Sequence, residues 1–127
     1  MQPLPSGLAA TPALVAASAA VRQCDVLAAH PDDPEAFAAG VADAKLDAKA
    51  AIAACEQAVK AEPQTPRLHF QLARGYLKAD RFENATEQLI AAAILKEFED
   101  KTAEFEKAEQ DEAAMALRQA GTLPQVG

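Results

Sequence analysis

Apolar residues recur along the chain at the three- and four-residue spacing of amphipathic helices. This pattern predicts helices over residues 12–29, 48–61, 66–79, 82–93 and 94–120, with turns marked by proline and aspartate between them. The inward-facing positions of the three middle helices are predicted to be Ile52, Cys55, Val59, Leu68, Leu72, Ala73, Tyr76, Leu77, Ala85, Leu89, Ala92 and Ala93. Alanine, the best helix former, makes up roughly a quarter of the chain, and valine, isoleucine, threonine and aromatic residues are sparse, so the sequence predicts an all-α fold.

Capping signals fix two of these helix starts. Asp47 is placed to cap the helix that follows it, and Thr65-Pro66 combines a hydroxyl cap with a proline at the first helical position. Residues 35–46 are compatible with a short helix or with an ordered loop, because Gly40 interrupts their apolar run.

The chain also matches itself at a spacing of about 34 residues. The matching positions are Ala51, Cys55 and Ala58 with Ala85, Leu89 and Ala92. This period, with paired amphipathic segments, is typical of helix–turn–helix repeats that stack into a solenoid and bind other proteins.

The residues of the second segment resemble a tetratricopeptide repeat of the bacterial type that occurs together with Sel-one-like repeats. The resemblance is carried by Leu72, Ala73, Tyr76, Phe82, Ala85, Leu89 and Ala92, with Ala51, Ala58 and Pro63 similar to the second half of a preceding repeat. It covers residues 24–93, with its best repeat at 66–93 and a partial repeat at 35–63. It implies a short antiparallel helix-hairpin array.

The length of 127 residues and the helix pattern predict one helical domain over residues 12–120, between flexible ends at 1–11 and 121–127. Residues 94–120 would then form a long helix that caps the array, with a coiled-coil arm as the alternative. The sequence departs from the repeat at Asp80, where glycine is usual, and at His69, where a large aromatic residue is usual. No third repeat follows, so flanking helices or a partner must complete the core.

In proteins of this family, partners lie along a groove formed by the first helix of each repeat. The corresponding positions here are Arg67, Phe70, Arg74, Leu77 and Lys78. Three cations beside two apolar side chains suit a peptide with acidic groups or a free C-terminal carboxylate. The alternative is that these cations balance the acidic C-terminal helix of the same molecule.

The resemblance implies a non-enzymatic adaptor, and the sequence offers no competing chemistry. Its two histidines, His30 and His69, lack the further donors that a zinc site needs, and neither has a nucleophile at a suitable spacing. No glycine-rich phosphate loop occurs, so neither a cofactor nor a metal is expected. The net charge of −7 argues against nucleic acid as a partner. A structural subunit, held in a larger complex by the C-terminal helix, is the alternative function.

The resembled group includes many exported proteins, which implies a periplasmic location, with the cytoplasm as the alternative. In an oxidising compartment Cys24 and Cys55 would form a disulfide, whereas in the cytoplasm both would be small buried side chains. The small residues of the segment Ala16–Ala20 fit either a secretory cleavage region or a packed helix over residues 12–29. No apolar run is long enough for a membrane span.

Overall fold

A computed structural model describes residues 12–36 and 38–121 of the chain. It contains four α-helices within these residues: α1 (Pro12–Ala28), α2 (Ala48–Ala61), α3 (Pro66–Lys78) and α4 (Phe82–Gln119). A single 3-10 turn, Asp43–Lys45, precedes α2. No strand occurs in the described part, and the all-α prediction is confirmed. None of the described helices combines the length and the apolar character needed to cross a bilayer.

The helix boundaries agree with the sequence pattern except at one point. Helices α1 to α3 end within one residue of their predicted ends, and residues 38–46 form an irregular segment with the 3-10 turn. The predicted division between residues 93 and 94 is absent, because no glycine or proline interrupts α4. The flexible end predicted at 1–11 lies outside the described residues, as do residues 122–127 of the end predicted at 121–127.

The chain divides into two compact units, one within Met1–Leu95 and one within Lys96–Gly127. In the first unit, α1, α2 and α3 pack against one another. Their shared core consists of Val21, Cys24, Ala28, Leu46, Ala51, Ile52, Cys55, Ala58, Leu68, Leu72, Ala73, Tyr76 and Ala85. Many of these residues are small, which lets the helices approach closely. A Cβ on Gly75 of α3, for example, would lie 3.0 Å from Cγ1 of Ile52 in α2.

The inward face predicted for residues 82–93 is mostly wrong. Ala85 is buried, whereas Leu89 and Ala93 are exposed and Ala92 is half-buried. The reason is that α1, α2 and α3 enclose the core between them, so that α4 adds only Ala85 to it. Packing of these helices as a tetratricopeptide superhelix stays a prediction. The same applies to the capping role of residues 94–120.

The end of α3 explains how aspartate replaces the usual glycine at position 80. Asp80 has a φ of 60° and is the only described residue other than glycine in the left-handed region. Its amide donates to the carbonyl of Leu77 at 3.1 Å, and the amide of Arg81 donates to that of Tyr76 at 2.8 Å. These two bonds form a Schellman motif, which satisfies the last carbonyls of the helix.

We expect Asp80→Gly to stabilise the first unit by about 1 kcal/mol, because glycine adopts this conformation without a clash at Cβ. The measurement is the free energy of unfolding in urea. Ala53→Gly, at an exposed position in the middle of α2 of the same unit, is the matched control and should instead cost about 1 kcal/mol. If Asp80→Gly instead lowers the free energy of unfolding, the interactions of the aspartate side chain stabilise the protein by more than its left-handed backbone conformation costs.

A disulfide joins α1 to α2. The sulfur atoms of Cys24 and Cys55 lie 2.06 Å apart and their Cα atoms 4.6 Å apart, across a sequence separation of 31 residues. Both residues are fully buried in the core. Of the two alternatives for these cysteines, the bonded one is present in the structure, and its formation in the native compartment stays a prediction.

Removing the disulfide with Cys24→Ala/Cys55→Ala should lower the free energy of unfolding by about 3–4 kcal/mol, because an unfolded chain without this link gains loop entropy. Urea titrations under oxidising conditions measure the difference. With a strong reductant present during unfolding, the wild type should approach the variant. Equal stability of the two proteins under oxidising conditions would contradict the expectation.

Candidate partner-binding face

One side of α3 carries all five residues predicted for partner binding. Arg67, Phe70, Arg74, Leu77 and Lys78 are separated by three, four, three and one residues, which places them on one side of a continuous helix. We refer to these five residues as the α3 face. Their environments differ, and the differences determine what this face can bind.

Arg74 is buried, and its guanidinium is occupied within the chain. Nη1 donates to the carbonyls of Ala28 and Ala29 at 2.8 and 2.9 Å. Nη2 donates to the carbonyl of Val41 at 2.6 Å and to Oδ1 of Asp43 at 2.8 Å. The first two acceptors belong to the end of α1, where helix carbonyls lack partners and a positive charge is favourable. Arg74 therefore clamps the end of α1 to the segment that follows it.

Asp43 ties the α3 face to the loop before α2. The hydrogen bond and the charge of Arg74 lower the pKa of the Asp43 carboxyl below its usual 3.8. The backbone carbonyl of Asp43 also accepts a hydrogen bond from Nζ of Lys78 at 2.9 Å. Two of the three cations of the α3 face thus hold the same loop residue.

Glycine at position 40 allows the chain to return to the end of α1. Gly40 has a φ of 97°, and a Cβ there would lie 2.5 Å from Cα of Pro31, closer than atoms can approach. Beyond this tight passage the amide of Val41 donates to the carbonyl of Ala29 at 2.8 Å. The glycine that only interrupted an apolar run in the sequence therefore brings the acceptors of Arg74 together.

Arg67 joins a buried polar cluster between α1 and α3. Its Nη2 donates to Oδ2 of Asp25 at 3.3 Å, and Nε2 of Gln71 donates to Oδ1 of the same carboxylate at 3.0 Å. Nε2 of Gln71 also lies 3.1 Å from Sγ of Cys24. Asp25 and Gln71 are fully buried, and neither was predicted from the sequence to be a core position. The sequence indicated their burial only in that each residue is adjacent to a core residue of its helix.

The remaining members of the α3 face are open to solvent. Phe70 and Leu77 are 40% and 43% exposed, and Lys78 is exposed beside them. The His30 ring meets the Phe70 ring edge-on, with centroids 6.4 Å apart. A shallow pocket of about 240 Å³ next to Leu77 is lined by Asp43, Leu46, Arg74, Leu77 and Lys78.

The expectation of three cations directed at a partner therefore needs correction. Arg74 points into the chain, and Arg67 forms an ion pair with the buried Asp25. The four acceptors of Arg74, and Asp25 as a partner of Arg67, lie in α1 and the loop after it, whereas the alternative named the acidic C-terminal helix. Buried carbonyl and carboxylate oxygens attract a guanidinium more strongly than a solvated surface does.

His69 has a structural environment. Its Nε2 lies 2.8 Å from the carbonyl of Pro63, and its Nδ1 lies 2.7 Å from the amide side chain of Gln88. A backbone carbonyl can only accept, so Nε2 carries the hydrogen. His69 thus links the turn before α3 to the start of α4, and this polar role explains why no large aromatic residue is needed there.

Comparison of the chain with protein-family models, with curated proteins and with solved structures finds no match to any of them. The tetratricopeptide resemblance therefore stays a prediction.

Proposed function

We propose that this protein is a non-enzymatic, tetratricopeptide-like adaptor that binds a partner protein or peptide on the α3 face. The observation that carries the proposal is the exposed pair Phe70 and Leu77 on a helix whose neighbouring residues, from Gln71 to Tyr76, are all buried. The two side chains lie seven residues apart, which corresponds to about 10 Å along the helix. Aromatic and aliphatic side chains at this spacing are typical anchors for a partner segment.

The chemistry of this face defines the partner. Apolar contacts with Phe70 and Leu77 supply most of the binding energy, because Arg67 and Arg74 already have carboxylate partners within the chain. The shallow pocket beside Leu77 suits one apolar side chain of the partner. The ammonium of Lys78 at its edge suits an acidic group. The proposed partner is therefore an apolar segment with a nearby carboxylate.

The proposed compartment is the periplasm. The buried disulfide between Cys24 and Cys55 supports this location, because such bonds persist in oxidising compartments and are rare in the cytoplasm.

The experiment is affinity capture with wild-type protein and with Phe70→Ser/Leu77→Ser, followed by quantitative mass spectrometry. A genuine partner should lose at least about tenfold in capture, because two apolar anchors of about 1–2 kcal/mol each are removed. Val15→Ser/Val26→Ser, which removes two exposed apolar residues from α1, is the matched control and should retain the partner. If the partner segment is acidic, Lys78→Glu should also weaken its capture, because the variant places like charges together.

The result that contradicts the proposal is capture of the same proteins at the same level by the Phe70→Ser/Leu77→Ser variant. Charge reversal at Arg74 is unsuitable as a test, since it would break the clamp on α1 and unfold the face along with its ligand site.

A further inference from the structure

The C-terminal part of α4 exposes three large apolar side chains along one row of the helix. Phe98, Phe105 and Met115 are 69%, 65% and 59% exposed. They belong to a series in which successive positions are separated alternately by three and four residues. We refer to this series as the α4 seam, and its members are Phe98, Lys101, Phe105, Ala108, Glu112 and Met115.

The spacing of the α4 seam is that of the contact positions in a coiled coil. Elsewhere on this part of the helix, charged residues form pairs one turn apart. Nζ of Lys96 lies 3.4 Å from Oδ1 of Asp100, and Nζ of Lys107 lies 2.9 Å from Oδ2 of Asp111. Such pairs characterise a solvated helix surface, whereas two exposed phenylalanines in one row are characteristic of a contact surface.

We infer that the α4 seam binds the same seam of a second copy of this chain, with the two helices antiparallel. The pairing is centred between Glu106 and Lys107. It places Phe98 opposite the partner's Met115, Lys101 opposite the partner's Glu112, and Phe105 opposite the partner's Ala108. Because the arrangement is symmetric, each pairing occurs twice.

Charge and size complementarity select this orientation. In the antiparallel register both polar members of the seam face opposite charges, and the large Phe105 faces the small side chain of the partner's Ala108. A parallel pair would instead place Lys101 against the partner's Lys101 and Glu112 against the partner's Glu112. Like charges at contact positions disfavour that arrangement.

The register is also specified. Sliding the antiparallel pair by one heptad in one direction places Glu112 opposite the partner's Ala108. Sliding it in the other direction places Lys101 opposite the partner's Phe105. Each shift places a charged side chain of the seam opposite an uncharged one. Only the centred register pairs every charged seam residue with an opposite charge and every apolar one with an apolar residue.

One flanking contact weakens the pairing. Glu104 lies beside the partner's Asp111 in this register, and these are like charges. The ion pair between Lys107 and Asp111 reduces the repulsion. The seam is also short, about 26 Å from Phe98 to Met115. We therefore expect a reversible dimer with a micromolar dissociation constant.

The test is sedimentation equilibrium of the full chain over a wide concentration range. Wild type should fit a monomer–dimer equilibrium. Lys101→Glu and Glu112→Lys should each raise the dissociation constant at least tenfold, because each places like charges opposite one another twice. The double variant Lys101→Glu/Glu112→Lys restores both opposite pairs and should return to within about threefold of wild type.

Matched controls distinguish the effect of charges within the α4 seam from the effect of a change in the net charge of the chain. Lys96→Glu and Glu99→Lys make the same charge changes outside the seam and should leave the dissociation constant within about twofold of wild type. All these positions are exposed, so each variant should fold. Far-UV circular dichroism measures whether it does.

Three results would overturn the inference. They are a monomeric wild type at every concentration, a dimer that neither single reversal weakens, and a failure of the double variant to recover. The second of these is the behaviour of a parallel pair. The inference does not rest on the α3 face, because self-association and partner capture are measured separately and altered by different variants.

Discussion

A single buried guanidinium organises the first unit. Arg74 donates four hydrogen bonds, and its acceptors come from the last turn of α1 and from the loop that returns past it. The carbonyls at the end of a helix need such partners, and a buried cation without acceptors would cost several kcal/mol. Because the carbonyls need donors and the buried Arg74 needs acceptors, the hydrogen bonds between them hold α3 against α1. The same bonds fix the conformation of residues 40–43.

Two further links hold α1 in the same unit. The disulfide from Cys24 to Cys55 joins it to α2, and the ion pair from Asp25 to Arg67 joins it to α3. Consecutive residues of α1 therefore connect to two different helices. Because the polar side of α3 is occupied in this way, its exposed remainder is chiefly apolar. The α3 face was predicted from the sequence to be basic. In the structure it exposes two apolar side chains, Phe70 and Leu77, with one cation at the edge.

The helices themselves could be predicted because their signals are local. Spacing, the Asp47 cap and a proline at the first position of α3 placed α2 and α3 to within one residue, and Cys55 was correctly predicted to face the core. The hydroxyl cap predicted at Thr65 is wrong, because that hydroxyl donates to Oε1 of Glu62 and makes no cap hydrogen bond. The destination of Arg74 could not be predicted, because three of its four acceptors are backbone carbonyls 33 to 46 residues away, and carbonyls leave no mark in a sequence. Burial of Asp25 and Gln71 was missed for a similar reason, since polar residues on a helix usually face solvent.

Arg74 holds the first unit together from within. The measurement that tests it is the free energy of unfolding of Arg74→Met, determined in urea beside that of Lys78→Met. We expect Arg74→Met to lose about 3 kcal/mol or more, because three backbone carbonyls lose a donor in a buried site. The exposed Lys78→Met should lose less than about 1 kcal/mol. Equal, small losses in the two variants would contradict the account.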